Sequence, residues 1–372
     1  MADRPASSQG ARRTLLVLEF VPMPDPELRD RLLERARQLG LDLQLHFQGA
    51  RPFAFAELAQ ADPRLVRELA ALTGIRRAWT QSLPWILAGR DWQSEDTRIP
   101  VGRITFGGDQ LVLMAGPCSV ESAPQILELS SLLAREGAHI LRGGAFKPRS
   151  NPYSFQGLRH EGLTLLRQAS QVSGLPVVTE VMSIADLDAV AAVADVIQVG
   201  ARLCQHFELL HELGRIQRPV LLKRGFGTTL EELLLAAEHI MAHGNPRVML
   251  CERGIRTFET AARYTFDLNA IPILKQWSHL PVIADPSHAT GNARWVGAVA
   301  RAAVAAGADG LMLEVHERPD TALSDGEQSL TPAAFSGLRR ELEALCEPLG
   351  RRMAPVGQGA PGPERYLAGS PR

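Results

Sequence analysis

Between Leu111 and His316 the chain repeats one texture eight times: a short run that is apolar at nearly every position, then a longer stretch with helical spacing. The runs are LVLMAG, HILRGGA, PVVTEV, VIQVGA, PVLLKRG, RVMLCERG, PVIADPSH and GLMLEVH. A strand that is apolar on both faces must be covered on both, and intervening amphipathic helices supply that cover when the sheet is parallel. Leu230, Leu233, Leu234, Ala237, Ile240 and Met241 have the spacing of such a helix. Eight units within roughly 240 residues match a closed (β/α)8 barrel, the TIM-barrel architecture, and no G-x-G-x-x-G follows the first run to argue for a doubly wound sheet.

The first part of the chain reads differently. TLLVLEF is an apolar strand, and Pro24, Asp25 and Pro26 then open a helix with Leu28, Leu32, Leu33, Ala36 and Leu39 on one side. Two short strands, DLQLHF and RPFAFAEL, flank the turn residues Gln48 and Gly49. A second helix starts at Asp62-Pro63 with Leu65, Leu69 and Leu72, and a last strand covers Arg76 to Gln81. The order βαββαβ predicts a small ferredoxin-like α+β domain over 14–94, ahead of a barrel over 95–350. Residues 95–110 read as a hairpin plugging the bottom of the barrel. Residues 1–13 read as a disordered start, and 351–372, rich in Pro and Gly without apolar periodicity, as a disordered tail.

The 372 residues are enough for one large and one small domain. Forty basic and 41 acidic residues leave a formal charge of −1, which offers no bulk attraction to nucleic acid or to an anionic membrane. Any concentrated positive site must therefore be local. Four widely spaced cysteines (118, 204, 251 and 346), with no CxxC pair and no apolar leader, fit a reducing cytoplasm.

Polar residues gather where the apolar runs end. Cys118 follows the first run. Arg142 lies near the end of the second, with Lys147 and Arg149 beyond it; Glu180 is on the third, Arg202 after the fourth and Lys223 on the fifth. Glu252 and Arg253 are on the sixth, Asp285 and His288 on the seventh, Glu314 and His316 on the eighth, and Asp325 in the loop after it. A barrel assembles its chemistry at that end, because all eight strand ends converge there. Cys118, His288, Glu314 and Asp325 together offer a thiolate, an imidazole and two carboxylates, a set suited to a borderline divalent ion of the Mn, Fe, Co or Zn class. Taken singly each has a bland reading, as a small buried hydrophobe, a helix-capping histidine or a solvated acid. Jointly they favour one metal ion.

Arg142, Lys147, Arg149, Arg202, Lys223 and Arg253 form a second group. Like charges held this close need anions, and phosphates and carboxylates fit. Pairing with Glu180 or Glu252 is the competing explanation, strongest for Arg253 beside Glu252. Arg224 and Arg256 read as structural or solvated. Gly143-Gly144 and Gly225 would let backbone approach a ligand, although a glycine pair more often marks a turn.

AGPCSVES, LRGGAFKPRSNPYSFQGL, VVTEV, IQVGAR, LLKRGF, LCERGIRTFE, DPSHATG and LEVHERPDTALSDGEQSL together resemble the short-chain bacterial 3-deoxy-D-arabino-heptulosonate 7-phosphate (DAHP) synthases, which open the shikimate route. The resemblance spans roughly Thr97 to Thr331. It implies an enzyme that condenses phosphoenolpyruvate with erythrose 4-phosphate and releases phosphate, with metal ligation by Cys118, His288, Glu314 and Asp325. It further implies that Arg142, Lys147, Glu180, Arg202, Lys223 and Arg253 hold phosphoenolpyruvate, and that Arg149 and Ser150 take the aldose phosphate. Lys147 is then a proton donor to the new alkoxide, with a metal-bound water as the rival. Ser150 stands where the family more often has Thr, keeping the hydroxyl; Asn292 stands where a basic residue often follows the Gly. By the same analogy the first domain binds an aromatic amino acid effector, Tyr or Phe, or serves only in oligomerisation, and the assembly is a homotetramer. The nearest rival is the sister synthase acting on arabinose 5-phosphate, against which KPRS argues. A barrel that has lost catalysis and acts as a sensor is the rival of another class, and retention of every candidate ligand argues against it.

Overall fold

The computed structural model describes residues 14–21, 26–47, 51–147, 151 and 153–356. The first domain has the expected order: β1 (Thr14–Phe20), helix Pro26–Gln38, β2 (Gln44–His46), β3 (Phe53–Leu58), helix Pro63–Ala70 and β4 (Ile75–Gln81). Its antiparallel sheet runs β2-β3-β1-β4, the ferredoxin-like arrangement. Alternation along β1 sends Leu16, Leu18 and Phe20 to the face that Leu32, Ala36 and Leu69 of the two helices cover. Val17 and Phe53 point to the other face and join the core of the second domain, with Phe53 edge-on to Trp92 at 5.4 Å. Glu19, buried in the same sheet, is neutralised by Arg51 at 2.6 Å and Arg77 at 3.3 Å.

A two-stranded hairpin, β5 (Ile99–Val101) and β6 (Ile104–Phe106), precedes the barrel. The eight apolar runs become β7 (Gln110–Gly116), β8 (Ile140–Arg142), β9 (Val177–Val181), β10 (Val196–Val199), β11 (Val220–Lys223), β12 (Val248–Glu252), β13 (Val282–Ala284) and β14 (Gly310–Glu314). Each pairs in parallel with the next, and β14 pairs with β7 to close the ring. Val112, Met114, Ile140, Val178, Val196, Leu221, Met249, Ile283 and Met312 fill the interior. Ile99, Val101, Ile104 and Phe106 belong to this same cluster, so the hairpin plugs the barrel as its sequence predicts. It enters from the bottom, since Phe106 lies near Gly310, where β14 begins. Among the described residues no helix is long and apolar enough to cross a membrane.

Residues 351–356, which composition assigns to the tail, differ from that expectation. Arg352–Met353 forms β15 beside β7, and the Arg351 guanidinium bonds the Gln110 carbonyl at 3.0 Å and the Ala308 carbonyl. A short run can pair because β7 begins with an unpaired edge below its contact with β8. Residues 1–13 and 357–372 lie outside the described residues.

The segment joining the domains is tied down by one carboxylate. Glu238, on the helix Leu230–Ala242, accepts from the backbone N–H groups of Ile86, Leu87 and Ala88 at 3.0, 2.8 and 2.9 Å. Replacing it by leucine strands three donors, and stranded donors are costly. Glu238→Leu is therefore expected to lower stability by about 2–3 kcal/mol in urea unfolding, and Glu238→Gln by less because an acceptor oxygen remains. Indistinguishable midpoints for wild type and Glu238→Leu would contradict the assignment.

Candidate active site and metal centre

Strand parity builds the site. Ile140, Val178, Leu221, Ile283 and Met312 point into the barrel, so the residues two positions later face the same axis one layer higher. Those residues are Arg142, Glu180, Lys223, Asp285 and Glu314. The interior thus changes from apolar to charged within one step at the C-terminal ends of the strands. Glu252 and Arg224 have the opposite parity: they bond one another at 2.8 Å, and Arg224 also holds Asp267 at 2.8 Å, outside the barrel axis. Arg224 is accordingly a buried structural residue, and Arg256 is exposed.

Cys118, His288, Glu314 and Asp325 each present a ligand atom, and these atoms all lie within 4.8 Å of one another. The Cys118 thiol donates to Asp325 Oδ2 at 2.8 Å, and His288 Nε2 lies 3.2 Å from Glu314 Oε1. Asp285 caps the helix Pro286–Thr290 through the His288 N–H at 3.0 Å, and its Oδ2 meets His288 Nδ1 at 2.8 Å. The second contact fixes the ring so that Nε2 is directed at the carboxylates, the usual arrangement behind a metal-bound histidine. Asp325 holds a left-handed backbone (φ 52°), rare for a residue with a side chain.

Charge favours a cation among these four. Burial, and then the Glu314 carboxylate, push the Cys118 thiol up to about 12. A divalent ion reverses that preference by taking the thiolate as ligand. Burial also acts to raise Glu314 and Asp325, yet both stay below the ordinary carboxylate range. His288 and Arg142 outweigh burial at Glu314; the Cys118 hydrogen bond and Arg263 do so at Asp325. One soft, one borderline and two hard donors fit a divalent ion of the Mn, Fe, Co or Zn class.

Above the ligands a cavity of about 270 Å³ opens, lined by Lys147, Asn151, Ser154, Glu180, Gly200, Ala201, Arg202, Lys223, Phe226, Arg253, Arg263, Tyr264, His288 and Asp325. Lys223 is paired with Asp285 at 2.6 Å, and Lys147 Nζ donates to the Cys118 carbonyl at 2.9 Å. Gly144 makes the second contact feasible, because a Cβ there would lie 2.7 Å from that carbonyl. Because Glu252 is engaged with Arg224, it leaves Arg253, whose buried Nη1 has no partner and whose guanidinium lies 4.4 Å from the Tyr264 ring centre. Arg142 does not line the cavity; its Nη1 serves Glu314 and the Pro117 carbonyl, and its buried Nε has no partner. Buried guanidinium N–H groups without acceptors are what an anionic ligand would satisfy. Glu180 accepts from Gln198 at 2.7 Å and sits so near Gly200 that a Cβ there would come within 2.1 Å of it.

Of the residues singled out in the sequence, Cys118, His288, Glu314 and Asp325 meet in one group. Lys147, Glu180, Arg202, Lys223 and Arg253 line one cavity. Arg149 and Ser150 lie outside the described residues. Sequence reasoning missed Arg263, Gln328 and the orienting role of Asp285. Only Asp285 carried a local signal, its capping position three residues before His288.

A family model described as the DAHP synthetase I family matches residues 92–347. A phospho-2-dehydro-3-deoxyheptonate aldolase of Thermotoga maritima is 49% identical over 267 residues, covering 72% of this chain and 79% of that protein. A 2-dehydro-3-deoxyphosphooctonate aldolase of Geobacter sulfurreducens is 33% identical over 266 residues, covering 66% of this chain and 97% of its own. The crystal structure of the Thermotoga maritima DAHP synthase superposes with a TM-score of 0.73 at 40% identity, covering 91% of this chain and 99% of that one. A truncated form of that synthase gives 0.67 at 45% identity, over 72% of this chain and 98% of that one. With more than two thirds of its length matched by the family model and its strand ends carrying the site, the chain belongs to the DAHP synthetase I family.

Proposed function

We propose that this chain is a 3-deoxy-7-phosphoheptulonate synthase, condensing phosphoenolpyruvate with erythrose 4-phosphate and releasing phosphate. The observation that carries the reading is the meeting of four metal-ligand atoms within 4.8 Å beside a cavity lined by five cations. Two anionic substrates repel in water. Lys147, Arg202, Lys223, Arg253 and Arg263 neutralise them in one pocket and hold the reacting carbons in range. Phosphoenolpyruvate is assigned to Arg142, Lys147, Glu180, Arg202, Lys223 and Arg253, and the aldose phosphate to Arg149 and Ser150. Asn151 and Ser154, just beyond that pair, line the same cavity.

When bound at Cys118, His288, Glu314 and Asp325, a divalent ion supplies Lewis-acid polarisation of the aldehyde oxygen. The C3 methylene of phosphoenolpyruvate adds to that aldehyde carbon, water adds at C2, and phosphate leaves with C–O cleavage. Lys147 is the proton donor to the new alkoxide, because its Nζ sits at the Cys118 carbonyl, beside the ligand group and on the cavity wall. Four cysteines free of disulfide bonds agree with a cytoplasmic protein.

Relatives named for the octulosonate reaction keep arabinose 5-phosphate as the competing aldose. Greater identity to the heptonate relative and the segment Lys147-Pro148-Arg149-Ser150 favour erythrose 4-phosphate. We assign the first domain to feedback by Tyr or Phe, within a homotetramer. The match to the Thermotoga maritima structure covers 91% of this chain and so extends beyond the barrel into the first domain.

Phosphate release from phosphoenolpyruvate, assayed with each aldose separately, is expected with erythrose 4-phosphate and not with arabinose 5-phosphate. Turnover of arabinose 5-phosphate alone would overturn the assignment, and release with neither would favour the sensor reading. Cys118→Ser is expected to lose activity by more than about 100-fold even with added metal, and full metal-supplemented activity would sink the ligand set. Deleting residues 1–81, which leaves the segment held by Glu238 in place, should spare turnover and remove inhibition by Tyr or Phe; inhibition that survives the deletion would refute the regulatory assignment.

A further inference from the structure

We infer that Arg263 is a positioning residue for the metal centre, acting with Gln328 as its relay, and this inference rests on the metal reading above. Arg263 lies in the loop after β12, at no strand end, and its backbone is zipped to the helix that carries His288. Its N–H bonds the Thr290 carbonyl at 3.2 Å, and the Tyr264 N–H bonds the Ala289 carbonyl at 2.8 Å. From that fixed base the guanidinium reaches the loop that carries Asp325 and, through Gln328 in that loop, Glu314 on β14. Nη1 donates to Asp325 Oδ1 at 3.0 Å and to Gln328 Oε1 at 2.7 Å. Gln328 is buried, and its amide nitrogen donates to Glu314 Oε2.

The chemistry of the amide makes this chain directional. Arg263 has only donors, so the Gln328 oxygen must face it, and the Gln328 NH₂ must then face Glu314. Were the amide reversed, two donors would oppose one another beside Arg263, and an oxygen would oppose the Glu314 carboxylate. Arg263 therefore fixes both which oxygen of Asp325 is occupied and which way Gln328 points. The outer oxygens, Asp325 Oδ1 and Glu314 Oε2, are engaged by this brace. Their partners, Asp325 Oδ2 and Glu314 Oε1, face Cys118 and His288. Arg263 and Gln328 together thus join the His288 helix, β14 and the Asp325 loop, three of the four segments that carry the candidate ligands.

Two further features agree. Asp325 keeps its left-handed backbone although a carboxylate in a loop has easier conformations, and a brace on its side chain helps to hold it there. Gly291 ends the His288 helix at φ 67°, and a Cβ there would lie 2.5 Å from Arg263 Cβ, so the fold leaves the arginine its place.

The test is Co²⁺ titration of the metal-free full-length protein, read by thiolate-to-cobalt charge-transfer absorbance and the ligand-field bands, in wild type, Arg263→Gln, Arg263→Lys, Gln328→Met and the double variant Arg263→Gln/Gln328→Met. Arg263→Gln and Gln328→Met are each expected to weaken Co²⁺ binding by about 10–100-fold and to shift the ligand-field bands, at an unchanged metal-free melting temperature. Arg263→Lys should recover part of the affinity, and the double variant should bind little worse than either single one. Wild-type affinity and bands in a folded Arg263→Gln would overturn the inference. Should Arg263→Gln fail to fold, wild-type behaviour in Gln328→Met overturns it instead. Failure of the wild-type chain itself to bind Co²⁺ would overturn the metal reading on which it rests, a result distinct from either.

Discussion

Closure of the barrel by the pairing of β14 with β7 is the constraint on which the site depends. Once eight parallel strands close, every second side chain is forced toward one axis, and an interior this small must be filled. The lower layers are filled by Val112, Met114, Val178, Leu221, Met249 and Met312, with the β5–β6 hairpin beneath them. One layer higher, the same parity delivers Arg142, Glu180, Lys223, Asp285 and Glu314 to the axis, where no apolar neighbour can solvate them. They survive there by pairing, Arg142 with Glu314 and Lys223 with Asp285, while the buried Arg142 Nε is left without a partner. Buried pairs of this kind stabilise little in themselves. Their value is that they are rigid and already desolvated when substrates arrive.

The candidate metal centre is assembled from three levels of this scaffold. Glu314 is delivered by strand parity, His288 by a short helix whose cap, Asp285, also fixes its ring, and Asp325 by a loop that must adopt an unfavourable backbone. Loops are the least rigid of these supports, and it is the Asp325 loop that receives the most bracing. Ser119 meets Ser324 at 2.6 Å, Glu121 takes the Leu323 N–H at 2.8 Å, and Arg263 takes Asp325 itself at 3.0 Å.

Much of this was legible in the sequence because two periodicities carry it. Runs apolar on both faces could only be buried parallel strands, and eight of them with helical spacers pointed to a barrel. Polar residues at the run ends then gave Cys118, His288, Glu314 and Lys223 without reference to any contact. Pairing was less plain. Glu252 stands next to Arg253 in sequence, yet adjacent strand residues face opposite ways, so Glu252 bonds Arg224 and leaves Arg253 free for a ligand. Applied to the sequence, strand parity would have found this. Arg263 and Gln328 had no such signal: each sits in a loop whose path depends on contacts with segments distant in sequence. Residues 351–356 were hidden for a related reason, since their polar texture gives no hint that β7 offers a free edge.

The proposed divalent ion would sit at the top of the barrel between Cys118, His288, Glu314 and Asp325. Crystals of the full-length protein grown with Co²⁺ and measured at the cobalt absorption edge test it directly. One anomalous peak per chain is expected, about 2.0–2.3 Å from Cys118 Sγ, His288 Nε2 and a carboxylate oxygen of each acid. A peak elsewhere on the chain, or none among these four residues, would contradict it.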